Sequence, residues 1–199
     1  VRLPKLLPGF APEHRQVKRI LRMPDTSTHE GILHRAIMEL LYSSGLRIGE
    51  LVGLTLDDLD LDSGRATVLG KWSKERVVPV GATAVRWLTT YIRGVRPFNP
   101  GHRNYRHVFL NRRGVPMDRR SVQDFVPKYA AAAGVPRRVT PHAFRRSCTT
   151  ELIREGANVY HVKDLLGHSD LRTLAPYTRL TINDLKKTHA KCHPRERAP

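Results

Sequence analysis

Apolar residues recur at helical spacing early in the chain: Ile32, Leu33, Ala36, Ile37, Leu40 and Leu41 fall on one face. Gly45, in LLYSSGLRIGEL, is placed to stop that helix. Ile48, Leu51 and Val52 predict a second short helix, with Arg47 at the junction where a side chain can leave the core. Downstream the period changes. Arg65 to Leu69 and Arg76 to Val80 read as two short strands, joined by GKWSKE as a hairpin with a slightly long loop. A helix over about Ala82 to Arg93 comes next, then the Pro- and Gly-rich loop RPFNPGHRNYRH, and His107 to Leu110 reads as one further short strand. From Ser121 onward the pattern is helical. Gly134 and Pro136 end one helix; Thr140 caps the next, with Pro141 at its first position, and Gly156 ends it. Asn158 caps a helix that stops at Gly167. Thr181-Ile-Asn-Asp184 resembles a capping box and opens a last helix, to Lys191. The proline-rich start, VRLPKLLPGFAPEH, reads as an incoming linker. The fold class that results is mainly α with a small antiparallel β-sheet, with no internal repeat.

Composition narrows the partner. The 199 residues carry 35 Lys+Arg against 18 Asp+Glu, a formal charge of +17. Such an excess points to a polyanion, nucleic acid before a small-molecule substrate, although a ribosomal-type or RNA-coating protein has the same balance. The two cysteines, Cys148 and Cys192, make neither a disulfide framework nor a paired metal motif, which fits a reducing cytoplasm. No apolar run is long enough to span a bilayer, and no signal sequence stands at the start, so a cytoplasmic, nucleoid-associated protein with no membrane partner is expected. His189, Cys192 and His193 have helical metal-ligand spacing, but no further ligand converges on them in sequence, so no metal and no cofactor are expected.

Four boxes carry more. LLYSSGLRIGELVGLTLDDLD, GKWSKERVVPV, TPHAFRRSCTT and VKDLLGHSDLRTLAPYT stand in that order. In sequence and spacing they resemble the conserved boxes of tyrosine recombinases, the phage-integrase superfamily, and most of all its Xer-type and transposon-type members. The resemblance runs from about Arg2 to His193 and covers the family's C-terminal catalytic domain, without its N-terminal DNA-clamping domain. It implies an incoming linker and domain start at 1–24, an integrase catalytic domain at 25–193 and a basic tail at 194–199.

The resemblance implies a role for each residue of a set. Arg47 and Arg145 match the two arginines that hold the scissile phosphate. A guanidinium offers a planar fork to two phosphate oxygens, and a pair of them neutralises the charge that builds as phosphorus becomes five-coordinate. Lys71 matches the general acid for the 5′-oxygen leaving group, with Lys74 as its rival. His142 matches the histidine that bonds the phosphate and helps take the tyrosine proton; His168, in LLGHSD, matches the second histidine. Tyr177, nine residues after His168, matches the nucleophile. Tyr42, Tyr129 and Tyr160 are its competitors. The implied reaction makes a 3′-phosphotyrosine and a free 5′-hydroxyl, and then rejoins strands through a Holliday junction without metal or ATP.

Two positions depart from the pattern. Arg146 stands where many relatives have a histidine. Pro176 directly precedes Tyr177, which argues against a continuous helix there and allows Pro176 to open a new one.

Further basic and polar positions are expected to touch DNA. Arg112, Arg113, Arg119, Arg120, Arg137 and Arg138 read as backbone contacts, Arg119, Arg120 and Gln123 start a helix that can reach a major groove, Lys74 and Arg76 read as DNA-binding, and Trp72 as packing or DNA contact. The implied partners are double-stranded DNA at a specific recombination site and copies of the same chain. Four protomers would assemble on DNA through the helix from Thr181 to Lys191, with Leu185 among its anchors. Two other readings stay open: a type IB topoisomerase-like nicking-closing enzyme, and a non-catalytic DNA-binding module of the same fold.

Overall fold

The computed structural model describes residues 10–70, 75–97 and 105–167. Its centre is α2, His29–Ser44. Thr28 starts it by accepting a hydrogen bond from the Gly31 amide, and Gly45 ends it at φ +59°, a left-handed conformation that suits a residue without Cβ. Leu33, Ala36, Ile37, Met38, Leu40 and Leu41 are buried, so the face read from periodicity is the one that packs. Against α2 lie α4, Ala82–Thr90, and α6, Pro141–Arg154. The short helix α3, Ile48–Gly53, follows directly, with Arg47 as its N-cap and Leu51 in the core.

A three-stranded antiparallel sheet, in the order β1-β2-β3, closes one side. β1 is Leu59–Asp60, β2 is Arg65–Leu69 and β3 is Glu75–Pro79. β2 is the strand expected. β3 begins one residue early and ends one residue early, with Ala66 opposite Val78 and Val68 opposite Arg76. Ala66, Val68 and Val78 turn inward, as a half-buried sheet requires. β1 was not anticipated; two residues carry too little pattern to announce themselves.

The stretch around His107 to Leu110 is not a strand. It makes isolated bridges, Thr55 to His107 and Leu110 to Pro116. Arg96 braces it, its guanidinium donating to the carbonyls of Tyr105, His107 and Val108. Nearby, the Tyr91 hydroxyl accepts from the Leu110 amide at 3.0 Å, just where α4 runs into a wider π-turn over Tyr91–Val95.

The chain's first described helix follows the proline-rich start. α1, His14–Leu21, buries Val17, Ile20 and Leu21 under the domain. α5 is Arg119–Ala132, capped by Asp118, which accepts from the Ser121 amide. α6 begins as expected, with Thr140 accepting from the Ala143 amide and Pro141 at its first position. α7, Val159–Leu166, is capped by Asn158, which accepts from the Tyr160 amide, and ends at Gly167 with φ +59°. The expected helix from Thr181 to Lys191 and the tail lie outside the described residues.

Candidate active site

A helix leaves its last carbonyls without intrahelical donors, at the negative end of its dipole. At the end of α7 the Gly167 amide takes the carbonyls of Lys163 and Asp164. The next three go to arginines from three different elements. Arg76 of β3 donates Nε to the Leu165 carbonyl at 2.9 Å. Arg145 of α6 donates Nη2 to that of Leu166 at 2.5 Å. Arg47, the N-cap of α3, donates Nη2 to that of Gly167 at 3.0 Å. Arg47 and Arg145, nearly a hundred residues apart in sequence, thus meet on successive carbonyls.

The two arginines differ in setting. Arg145 is buried, and its Nη1 also donates to the Gly45 carbonyl at 2.5 Å. Burial, with the nearby Arg47 charge, lowers its pKa to about 10, which leaves it protonated at neutral pH. The Arg47 side chain is one-third exposed, at 33%. Geometry therefore fixes Arg145 and leaves Arg47 facing outward.

Glu50 was not singled out from the sequence, yet it organises this corner. Its Oε2 accepts from the Arg47 amide at 2.9 Å and from Arg76 Nη2 at 2.8 Å. Its Oε1 accepts from Arg47 Nη1 and Arg76 Nη1, both at 2.8 Å. Burial alone would raise this carboxyl, but the hydrogen bonds from Arg76 and Arg47 outweigh it and hold the pKa at about 2. The signal was present in Arg-Ile-Gly-Glu: a glutamate three residues after the N-cap is the back half of a capping box. Arg76 is accordingly turned inward, only 13% exposed, with its donors committed to Glu50 and Leu165. Arg76, expected to touch DNA, gives three of its N–H groups to Glu50 and Leu165.

His142 is exposed at the start of α6, one turn before Arg145 and Arg146. Partial burial, then the charges of Arg146, Arg145 and Arg47, lower its pKa below the ordinary value of 6.5. The imidazole is therefore neutral at pH 7, the form that accepts a proton. Beside it lies a cavity of about 620 Å³ lined by Ile48, Arg120, Gln123, Arg138 and Thr140, among others. Arg120, Gln123 and Arg138 are thus gathered with His142. Arg119 lays its guanidinium over Gly49, where a Cβ would come within 3.0 Å of Nη2.

Other expected contacts lie elsewhere. Arg112 pairs with Glu30 and, with Arg113, lines a separate cavity over α2 and α5. Arg137 stacks on the Phe10 ring at 5.6 Å. Lys71, Trp72, Lys74, His168 and Tyr177 lie outside the described residues, as do Pro176, His189, Cys192 and His193. Of the competing tyrosines, Tyr42 is half-buried, bonded to His14 Nδ1 at 2.8 Å, and its phenol is pushed up to about 12 by burial. Tyr129 bonds His34 Nδ1 at 3.0 Å and is also raised by burial. Neither is poised to ionise. Tyr160 is exposed on α7. Among the described residues, no group of three or more His, Cys, Asp or Glu side chains gathers as a metal site, and no helix is long and apolar enough to cross a membrane.

Residues 13–183 match the family model described as the phage integrase family. The chain belongs to the phage integrase family. It is 36% identical over 180 residues to the tyrosine recombinase XerD of Staphylococcus epidermidis, covering 90% of this chain and 61% of that one. It is 38% identical over 198 residues to the tyrosine recombinase XerC of Pelotomaculum thermopropionicum, covering 98% of this chain and 64% of the relative. It thus spans a little under two thirds of these relatives. Its fold matches that of the XerH site-specific recombinase, whose crystal structure is a pre-cleavage complex with its difH substrate, at a TM-score of 0.79 and 22% identity, over 95% of this chain and 55% of that one. The mainly helical architecture with a three-stranded antiparallel sheet is therefore an integrase catalytic fold.

Proposed function

We propose that this chain is the catalytic part of a tyrosine site-specific recombinase that cuts and rejoins double-stranded DNA. One observation carries the reading: Arg47 and Arg145 converge on the carbonyl end of α7, and the next residue in sequence is His168. Family membership supports it.

In this reading the outward Arg47 and the anchored Arg145 take the non-bridging oxygens of the scissile phosphate. The Tyr177 oxygen attacks phosphorus, and neutral His142 helps accept its proton. The bond to the 5′-oxygen breaks as Lys71 protonates it, while His168 donates to a phosphate oxygen. The product is a 3′-phosphotyrosine with a free 5′-hydroxyl. Attack by a 5′-hydroxyl from the partner duplex reverses the chemistry, frees the tyrosine and joins the exchanged strand. The bond energy is kept throughout, so the cycle needs no ATP and no metal. Arg120, Gln123 and Arg138, beside His142, would carry the flanking duplex. Four copies would assemble on DNA, linked by the helix from Thr181 to Lys191, in the cytoplasm.

The test is covalent. The chain is incubated with a library of nicked duplexes with a randomised core, and SDS-resistant adducts are recovered and sequenced. The expected result is an adduct at a defined sequence, absent with Tyr177→Phe. An adduct that survives this substitution moves the nucleophile. Relaxation of supercoiled plasmid without a defined site favours a topoisomerase, and binding without any adduct favours a non-catalytic module. Removing 182–199 should leave nicking intact and abolish joining between two duplexes; unchanged joining would remove the C-terminal helix from assembly.

A further inference from the structure

Arg76 has no part in the chemistry just described, yet three N–H groups of its guanidinium are engaged. Nη1 and Nη2 form a fork on the Glu50 carboxylate, 2.8 Å each, and Nε holds the Leu165 carbonyl at 2.9 Å. It thereby ties β3 to the helix start that carries Arg47 and to the helix end that Arg47 and Arg145 rest on. A Cβ on Gly167 would approach Arg76 Nη1 to 3.0 Å, so the two segments are in close contact.

We propose that Arg76 is a positioning residue for DNA cleavage, acting through Glu50 on Arg47; this rests on the cleavage reading above. The argument is one of sharing. Each Glu50 oxygen serves Arg47 and Arg76 together. Arg47 therefore keeps positive charge to offer a phosphate, because the carboxylate is balanced elsewhere. Take Arg76 away, and Arg47 is left to hold Glu50 by itself on that side. The carboxylate closes on Arg47 and draws its fork inward. At the same time the Leu165 carbonyl loses its donor, and the end of α7 is held by two arginines where there were three. Both changes displace the phosphate-facing guanidinium without touching DNA contacts elsewhere. Lysine cannot replace the fork: one ammonium reaches Glu50 but does not also span to Leu165.

The experiment compares wild type, Arg76→Lys and Arg76→Met on the duplex recovered from the nicked library. Single-turnover cleavage at saturating DNA, DNA affinity and thermal melting are measured together. Arg76→Met should cleave about 100-fold more slowly, the scale of a roughly 1 Å misplacement. Its affinity should stay within about 3-fold, since non-reacting phosphate contacts supply most of the binding. Arg76→Lys should recover part of the rate. With Arg47→Lys in the background, the Arg76 effect should largely vanish, because the two act on one group. Wild-type cleavage by Arg76→Met overturns the proposal alone. So does a full additive loss with Arg47→Lys, or a parallel fall in affinity, rate and melting temperature in Arg76→Lys, which folds with the charge kept. A wild-type chain that forms no adduct on any duplex overturns the cleavage reading and the role of Arg76 with it.

Discussion

His142 stands under three guanidinium charges, and of these Arg146 has the largest effect on it after burial. Arg146 lies one helical turn beyond His142, so the pair shares a face of α6. Arg146→Gln removes one like charge, which makes protonation of the imidazole easier. The His142 pKa should then rise toward 6.5, and the acid limb of cleavage should move to higher pH by the same amount. Titration of the imidazole by NMR, with and without the substitution, reads this directly. An unmoved titration would leave burial as the cause. Glu50 shows why single residues are hard to read from a sequence. Its neighbour Arg47 is announced by a box, but the carboxylate's other partner, Arg76, sits 26 positions away and meets it only in three dimensions.

Gly167 decides the end of α7. Its φ of +59° disfavours a side chain, and a Cβ there would press on the Arg76 guanidinium at 3.0 Å. Gly167→Ala should cost about 1–2 kcal/mol, the penalty of the left-handed region for an L-residue, in a denaturant melt. Cleavage should fall further than stability, because the carbonyls that seat Arg47 and Arg145 shift with it. Helices with strong punctuation were legible: α2 by its apolar face and its stop at Gly45, α6 from Thr140-Pro141, α7 from Asn158 to Gly167. α1 was not. HRQVKRIL has few apolar positions, stands behind prolines and gains its fold from burying Val17, Ile20 and Leu21 against elements far along the chain. His107 to Leu110 failed in the opposite sense. Its apolar run suits a strand, but its bridges go to two different segments, one at Thr55 and one at Pro116, so neither pairing extends.

For the whole molecule, pH bears on stability through His34. Its ring stacks on Phe125 with centroids 3.8 Å apart, and burial lowers its pKa to about 4. The unfolded chain binds this proton near 6.5, the folded chain only near 4. The contribution of His34 is therefore fully present above pH 6.5 and is lost progressively as pH falls toward 4. His34→Gln should flatten the melting temperature across that window; an unchanged slope would place the acid sensitivity elsewhere. Much of the rest follows from the joint at α7. Three arginines hold that helix by its main chain, which every amino-acid sequence presents alike. The attachment is thus blind to the letters written on the helix. A foreign helix of equal length, grafted from a distant cousin, should seat as well as the native one if Val162, Leu166 and Gly167 are kept. Divergence can then rewrite the outward face of α7 freely while the grip beneath it stays the same.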